Sequence, residues 1–150
     1  MKTIASFRSK LIALTLTLMA SVSSFAYNFG DDGLFFNIID NDKKLVEVTY
    51  QHERSEKNYS NLTHVTIPDT VLRGRVKYAV VSIGDMAFYN CQTLESIVIP
   101  DHIKSIGTNA FDGCSALTTI SLPSTITYLN SSLFANCTAL RSFTIPDNIT

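Results

Sequence analysis

Apolar and polar positions follow one fixed order from Leu94 to Leu117, L-E-S-I-V-I-P-D-H-I-K-S-I-G-T-N-A-F-D-G-C-S-A-L, and the order then restarts on that last Leu. The columns return every 23 residues: Ile83, Ile106 and Leu129; Phe88, Phe111 and Phe134; Cys91, Cys114 and Cys137; Leu94, Leu117 and Leu140; Pro100, Pro123 and Pro146. L-x-x-I-x-I-P predicts a short strand, because alternate residues of a strand share a face. Ile97 and Ile99 then point inward with Leu94, while Ser96 and Val98 point out. Pro100 has no N–H to give and ends the ladder. Gly84 and Gly107 are expected where the chain turns through positive φ, with Asn130 filling that role in the third repeat. Ala-Phe followed three residues later by Cys predicts a single helical turn, its Phe and Cys facing the interior.

A fixed period of about 20–29 residues with leucine-type columns is the signature of a leucine-rich repeat solenoid, an α/β repeat class built here from short strands and single helical turns. No single coil can cover its own apolar face, so neighbouring coils must stack at about the 4.8 Å spacing of adjacent strands. Leu62 to Pro68 matches Leu94 to Pro100 column for column, but 32 residues earlier, a surplus of nine over the period. Val71 and Val80 both fit the slot of Ile103, which locates the surplus at 72–80, read as an inserted hairpin turning near Arg73-Gly74. The repeats occupy 62–150 and the last is incomplete, its strand Ser142 to Ile145 expected to leave one edge unpaired. Further repeats are expected C-terminal to Thr150.

The pattern I-P-x-x-[IV]-x-x-I-G-x-x-A-F-x-x-C-x-x-L-x-x-[IV], carried from Leu62 to Thr150, resembles the Treponema-type leucine-rich repeat of BspA-like surface proteins. Asn130 in place of the Gly and Leu133 in place of the Ala depart from it but keep the physical role. The resemblance implies a secreted or surface-exposed bacterial binding protein of adhesive type, with no catalytic residues to carry over.

The chain before the repeats has a different character. Lys2, Arg8 and Lys10 precede the apolar run Leu11 to Ala20, and Ser24-Phe25-Ala26 places small residues at −3 and −1 of a cleavage point, so 1–26 reads as a signal peptide. The apolar run is short for a membrane span, and none is expected after signal removal. No Cys precedes Cys91, which leaves no acylation site at the cleavage point and argues against a lipoprotein. Residues 27–61 form an N-terminal β cap and polar loop. Within them Leu34 to Ile39 and Lys44 to Tyr50 read as two strands around the turn Asp40 to Lys43. Such a hairpin would cover the apolar end that a first coil exposes.

Composition adds limits more than leads. With 150 residues there is room for one domain, and 45% apolar content is ordinary for a globular chain. A net charge of −1 gives no reason to expect nucleic acid or an anionic membrane surface as partner. The three Cys sit in one column, within disulfide reach on adjacent coils, yet an odd number leaves one unpaired and buried Cys packs as a small hydrophobe, so core thiols are expected. His52-Glu53 and His64 lack a second ligand set at metal spacing, and Asp40 and Asp42 begin no calcium loop. Arg73, Arg75 and Lys77 read as a solvated strand face. No nucleophile–base pair and no phosphate loop is present, so neither an enzyme nor a cofactor is expected.

The candidate ligand-facing surface is the outward side of the stacked strands: His64, Thr66, Ser96, Val98, Thr119, Ser121, Ser142 and Thr144. It is rich in hydroxyls and lacks Trp, Tyr and Arg, the residues that dominate binding hot spots. It suits a broad, weak contact with a protein or glycan ligand. The sequence therefore supports an exported, cell-surface module for adhesion or recognition of host protein, glycan or other cells, and alternatively a structural spacer of a larger surface protein.

Overall fold

The computed structural model describes residues 27–50, 59 and 61–150. The signal peptide expected at 1–26, the pair His52-Glu53 and most of the polar loop 51–60 lie outside the described residues.

The L-x-x-I-x-I-P stretches build a small parallel sheet, in the order β4 (His64–Thr66), β7 (Ser96–Val98), β9 (Thr119–Ser121). Its register runs His64 to Ser96 to Thr119, Val65 to Ile97 to Ile120, and Thr66 to Val98 to Ser121. Each motif position thus meets its own counterpart, because the buried Val65, Ile97 and Ile120 must all face the core, and a one-residue slip would expose them. The strand expected over Ser142 to Ile145 is reduced to a single bridge, Ser121 to Thr144.

The second sheet holds the remaining strands. Its path is β1 (Phe29–Asp31), β2 (Leu34–Asp40), β3 (Leu45–Thr49), β6 (Val76–Ile83), β5 (Thr70–Arg73), and β8 (Ser105–Ile106) also pairs with β6. β2 and β3 form an antiparallel hairpin, its turn held by the Asp40 carboxylate accepting the Lys43 N–H at 2.9 Å. β1, which the sequence pattern did not mark, lies antiparallel on the outer edge of β2. β5 and β6 pair around a tight turn at Gly74 (φ 64°), with Arg73 opposite Val76. β3 runs parallel to β6, and β6 parallel to β8. The N-terminal hairpin therefore joins the repeats edge to edge, in the same sense in which one repeat joins the next.

Between the two sheets lies the core. Phe36, Val46, Val48, Phe88, Leu94, Phe111 and Leu117 are all fully buried. The repeating phenylalanines make a column: Phe88 and Phe111 have ring centroids 5.5 Å apart at 8°, and Phe111 and Phe134 5.8 Å apart at 11°. Tyr59 continues it at 5.2 Å from Phe88. Its buried hydroxyl donates to the Thr49 carbonyl and accepts the Phe35 N–H at 3.0 Å.

Two local expectations are corrected. No helix occurs among the described residues, and the Ala-Phe-x-x-Cys stretches are runs of turns. The reason is where their amides go. The N–H groups of Met86, Phe88 and Asn90 donate to Thr108, Ala110 and Asp112 of the next repeat, at 2.9, 2.8 and 2.7 Å. A helix would direct those donors inside its own turn, where they could not link repeats. Left-handed residues punctuate the turns in two further columns, Met86, Asn109 and Ser132, and Asn90, Gly113 and Asn136. Gly84, Gly107 and Asn130 are not among the positive-φ residues. Gly107 is required for space instead, since a Cβ there would stand 2.4 Å from the Asp85 backbone N. Asn130 keeps its side chain, whose amide donates to the Ile106 carbonyl at 2.6 Å.

Candidate functional site

The eight residues singled out as ligand-facing fall on the outer side of the small sheet and its continuation. His64, Ser96 and Thr119 make one cross-strand row, and Thr66, Val98, Ser121 and Thr144 another. Ser142 stands one motif position from Thr144, as Thr119 does from Ser121. Seven of the eight are exposed, and Ser96 is half-buried. Alternation does this: inward Val65, Ile97 and Ile120 leave their neighbours pointing at solvent.

Within that face, His64 carries the polar contacts. Its Nδ1 lies 2.9 Å from the Ser96 hydroxyl oxygen, and its Nε2 3.9 Å from the Glu95 carboxylate. Glu95 was not singled out from the sequence, although it precedes the strand in the same motif and its exposed side chain brings the face its charge. Other hydroxyls that resemble the face chemically serve to join repeats. Thr118 donates to the Glu95 carbonyl at 3.2 Å, and Thr93 to the Leu62 carbonyl at 2.9 Å. Val98, more than half exposed, gives the face its one apolar centre.

The cysteines do not contribute a reactive group. All three are free thiols, Cys91 and Cys114 buried and Cys137 half-buried. The Cys114 and Cys137 S–H groups donate to the carbonyls of Phe88 and Phe111 at 3.2 and 3.1 Å. The Cys91 thiol is pushed far up by its hydrogen bond with Cys114 and by burial, and Cys137 is pushed up to about 11, chiefly by burial. A thiol held protonated is a poor nucleophile and a poor metal ligand. No group of three or more potential metal ligands is found among the described residues.

On the outer side of the larger sheet lies a cleft of about 400 Å³ that the sequence reading did not find. Its floor is a row of residues in register across four strands, Asn37 to Glu47 to Ser82 to Ser105. Ser82, Ser105 and Tyr128 form a 23-residue column that is visible in the sequence. The pairing of Glu47 with Ser82 is not, because it depends on how the hairpin docks. Glu47 is half-buried, and burial raises its carboxyl above the ordinary value of 4.5, with the nearby Asp85 adding to the rise.

Comparison with known proteins agrees with the fold. The family model described as the BspA type leucine rich repeat region matches residues 53–150 in six copies. No curated protein matches. Among solved structures, a leucine-rich repeat protein from Bacteroides ovatus is similar at 33% identity and a TM-score of 0.72, over 83% of this chain and 31% of that one. One from Bacteroides capillosus is similar at 29% identity and a TM-score of 0.67, over 81% of this chain and 83% of that one. The T. pallidum leucine-rich repeat protein shares the fold at 23% identity and a TM-score of 0.64, over 82% of this chain and 52% of its own. This chain thus spans about a third of the first of these relatives and about half of the last. With the matched model covering most of its length, the chain belongs to the family of BspA-type leucine-rich repeat proteins.

Proposed function

We propose that this chain is an exported surface module that recognises a protein or glycan ligand through the face formed by His64, Thr66, Ser96, Val98, Thr119, Ser121, Ser142 and Thr144. On this reading the 23-residue repeats are coils of a solenoid occupying 62–150, and the hairpin within 27–61 is its N-terminal cap. The observation that carries the proposal is the register of the small sheet, which sets two outward-facing rows, exposed except at the half-buried Ser96, side by side over consecutive parallel strands. A regular, flat, hydroxyl-bearing surface offers many shallow contacts and few deep ones, which favours a repeated or extended partner over a small molecule. The signal peptide read from the sequence at 1–26 and the family to which the chain belongs support its placement at the cell surface. No helix among the described residues is long and apolar enough to cross a membrane.

The test is binding of the mature protein to arrayed matrix proteins, glycans and whole cells. Thr66→Lys combined with Thr119→Lys should abolish the signal while leaving the melting temperature within about 2 °C, because exposed substitutions seldom exceed about 0.5 kcal/mol. A signal that survives both changes would sink the proposal. A spacer role is the second reading, favoured by the length of the Bacteroides ovatus relative, of which this chain covers 31%. It predicts no binding by this chain at all.

A further inference from the structure

The cleft on the larger sheet is built from chemistry quite unlike that of the strand face. Four strands contribute its floor in one line, Asn37 on β2, Glu47 on β3, Ser82 on β6 and Ser105 on β8. Tyr128, half exposed, stands in the column of Ser82 and Ser105 one repeat further on, and Tyr50 also lines the cleft. Gly84 keeps the cleft open, since a Cβ there would come within 3.0 Å of the Glu47 carboxylate. At about 400 Å³ the space falls within the range of about 300–1,000 Å³ typical of small-ligand sites.

The lining selects the ligand. Acceptors come from Glu47 and Asp85, and mixed donor–acceptor groups from Asn37, Ser82 and Ser105. The Asp85 Oδ1 already takes the Thr108 N–H at 2.7 Å, and Asn37 reaches the Glu47 Oε1 at 3.4 Å, so both carboxylates are oriented before any ligand arrives. No Lys, Arg or His lines the cleft among the described residues, so what an anionic ligand meets among them is two carboxylates, Glu47 and Asp85. A purely apolar ligand would leave the half-buried Glu47 and the hydroxyls beside it unsatisfied, which is costly. What fits is an uncharged molecule with many hydroxyl groups and C–H faces. Its hydroxyls can donate to carboxylates in charge-assisted hydrogen bonds, and its C–H faces can lie on tyrosine rings.

We infer that the cleft formed by the N-terminal hairpin and the first three repeats binds a neutral saccharide. Glu47 accepts its hydroxyls, Asn37, Ser82 and Ser105 fix its orientation, and Tyr128 supplies the ring against which it lies. This site is separate from the strand face and does not depend on it.

The experiment presents the mature protein to a panel of neutral gluco-, galacto- and manno-configured oligosaccharides, beside sialylated and sulfated ones, with calorimetry on the best binder. Neutral oligosaccharides should bind. Glu47→Gln and Tyr128→Ala should each weaken that binding at least tenfold, while Thr66→Lys with Thr119→Lys leaves it unchanged. Both cleft variants alter partly exposed side chains, and circular dichroism melts check that they are folded. Ser105→Arg, which fills the cleft from its floor, gives a third and independent loss. Absence of neutral binding, a preference for the sialylated or sulfated members, or binding lost only with the strand-face variant would each overturn the inference. The last outcome would still support the proposed role of the face, so the two readings fail separately.

Discussion

The same repeat motif meets two different fates at the two ends of the stack. At the N-terminal end Phe88, Cys91 and Leu94 are fully buried, because Tyr59 stacks on Phe88 and the β2–β3 hairpin lies alongside. At the other end their counterparts Phe134, Cys137 and Leu140 are only partly covered, and Phe143 and Ile145 are exposed where Ile97 and Ile99 are buried. The residues occupy equivalent columns, so the contrast cannot come from composition. Burial here belongs to a pair of neighbours: a column member enters the core when something packs on both of its sides. Phe134 has Phe111 on one side and the tilted Phe143 at 4.9 Å on the other, a thinner cover than Tyr59 gives Phe88.

The largest test of that contrast is to delete the same ring at each end. Phe88→Ala should cost about 3–5 kcal/mol, as expected for a fully enclosed aromatic, and Phe134→Ala less than half as much. Chemical denaturation of both variants measures it, and equal losses would mean that the two ends are equally well covered. Next in size is the hydroxyl that ties the N-terminal end together. Tyr59→Phe keeps the ring but leaves the Phe35 N–H and the Thr49 carbonyl without their partner, so a loss of about 1–3 kcal/mol is expected. A neutral result would show that the ring alone secures this end.

The thiols report the contrast without perturbing the fold. In native protein at pH 8, Cys137 should react with a thiol reagent slowly but measurably, while Cys91 and Cys114 wait for unfolding. Mass spectrometry at intermediate times distinguishes the three, and simultaneous labelling would mean that the last repeat is no looser than the first. The smallest effect concerns Glu47, half-buried on β3 where that strand pairs with β6. Its folded pKa is raised, so its contribution to stability is full below the ordinary value of 4.5 and is lost as pH rises through the higher folded value. Glu47→Gln should therefore melt slightly above the parent at pH 7, by less than the roughly 2–4 °C that 1 kcal/mol gives in a domain of this size. The difference should vanish near pH 4. A parent more stable than the variant at pH 7 would mean that the carboxylate is satisfied by its surroundings.

Several features were legible because they depend on local spacing. The strands around Val65, Ile97 and Ile120 follow from alternation, and their register from a motif that repeats with them. The Ala-Phe-x-x-Cys stretch misled for a definite reason. Its Phe-to-Cys spacing suits one helical turn, but its amides at Met86, Phe88 and Asn90 are spent on the next repeat. Gly107 was expected for a positive φ that it does not have; what it supplies is space beside the Asp85 backbone. The strand expected at Ser142 to Ile145 is reduced to the single bridge from Ser121 to Thr144, although β4 keeps its pairing as an edge strand with one neighbour.

By itself the sequence determined which residues face inward, how successive repeats align and which side chains the small sheet shows to solvent. Each of these is a consequence of periodicity, since a period that matches the pitch of the structure brings like residues together wherever the chain goes. Only the tertiary structure decided that β3 would dock parallel to β6, and with it the line from Asn37 through Glu47 to Ser105 that floors the cleft. That pairing joins Glu47 to a residue far along the chain, outside any repeat relation. No spacing encodes it, and it sets buried Val46 beside Val80 and Val48 beside Ile83 in one sheet.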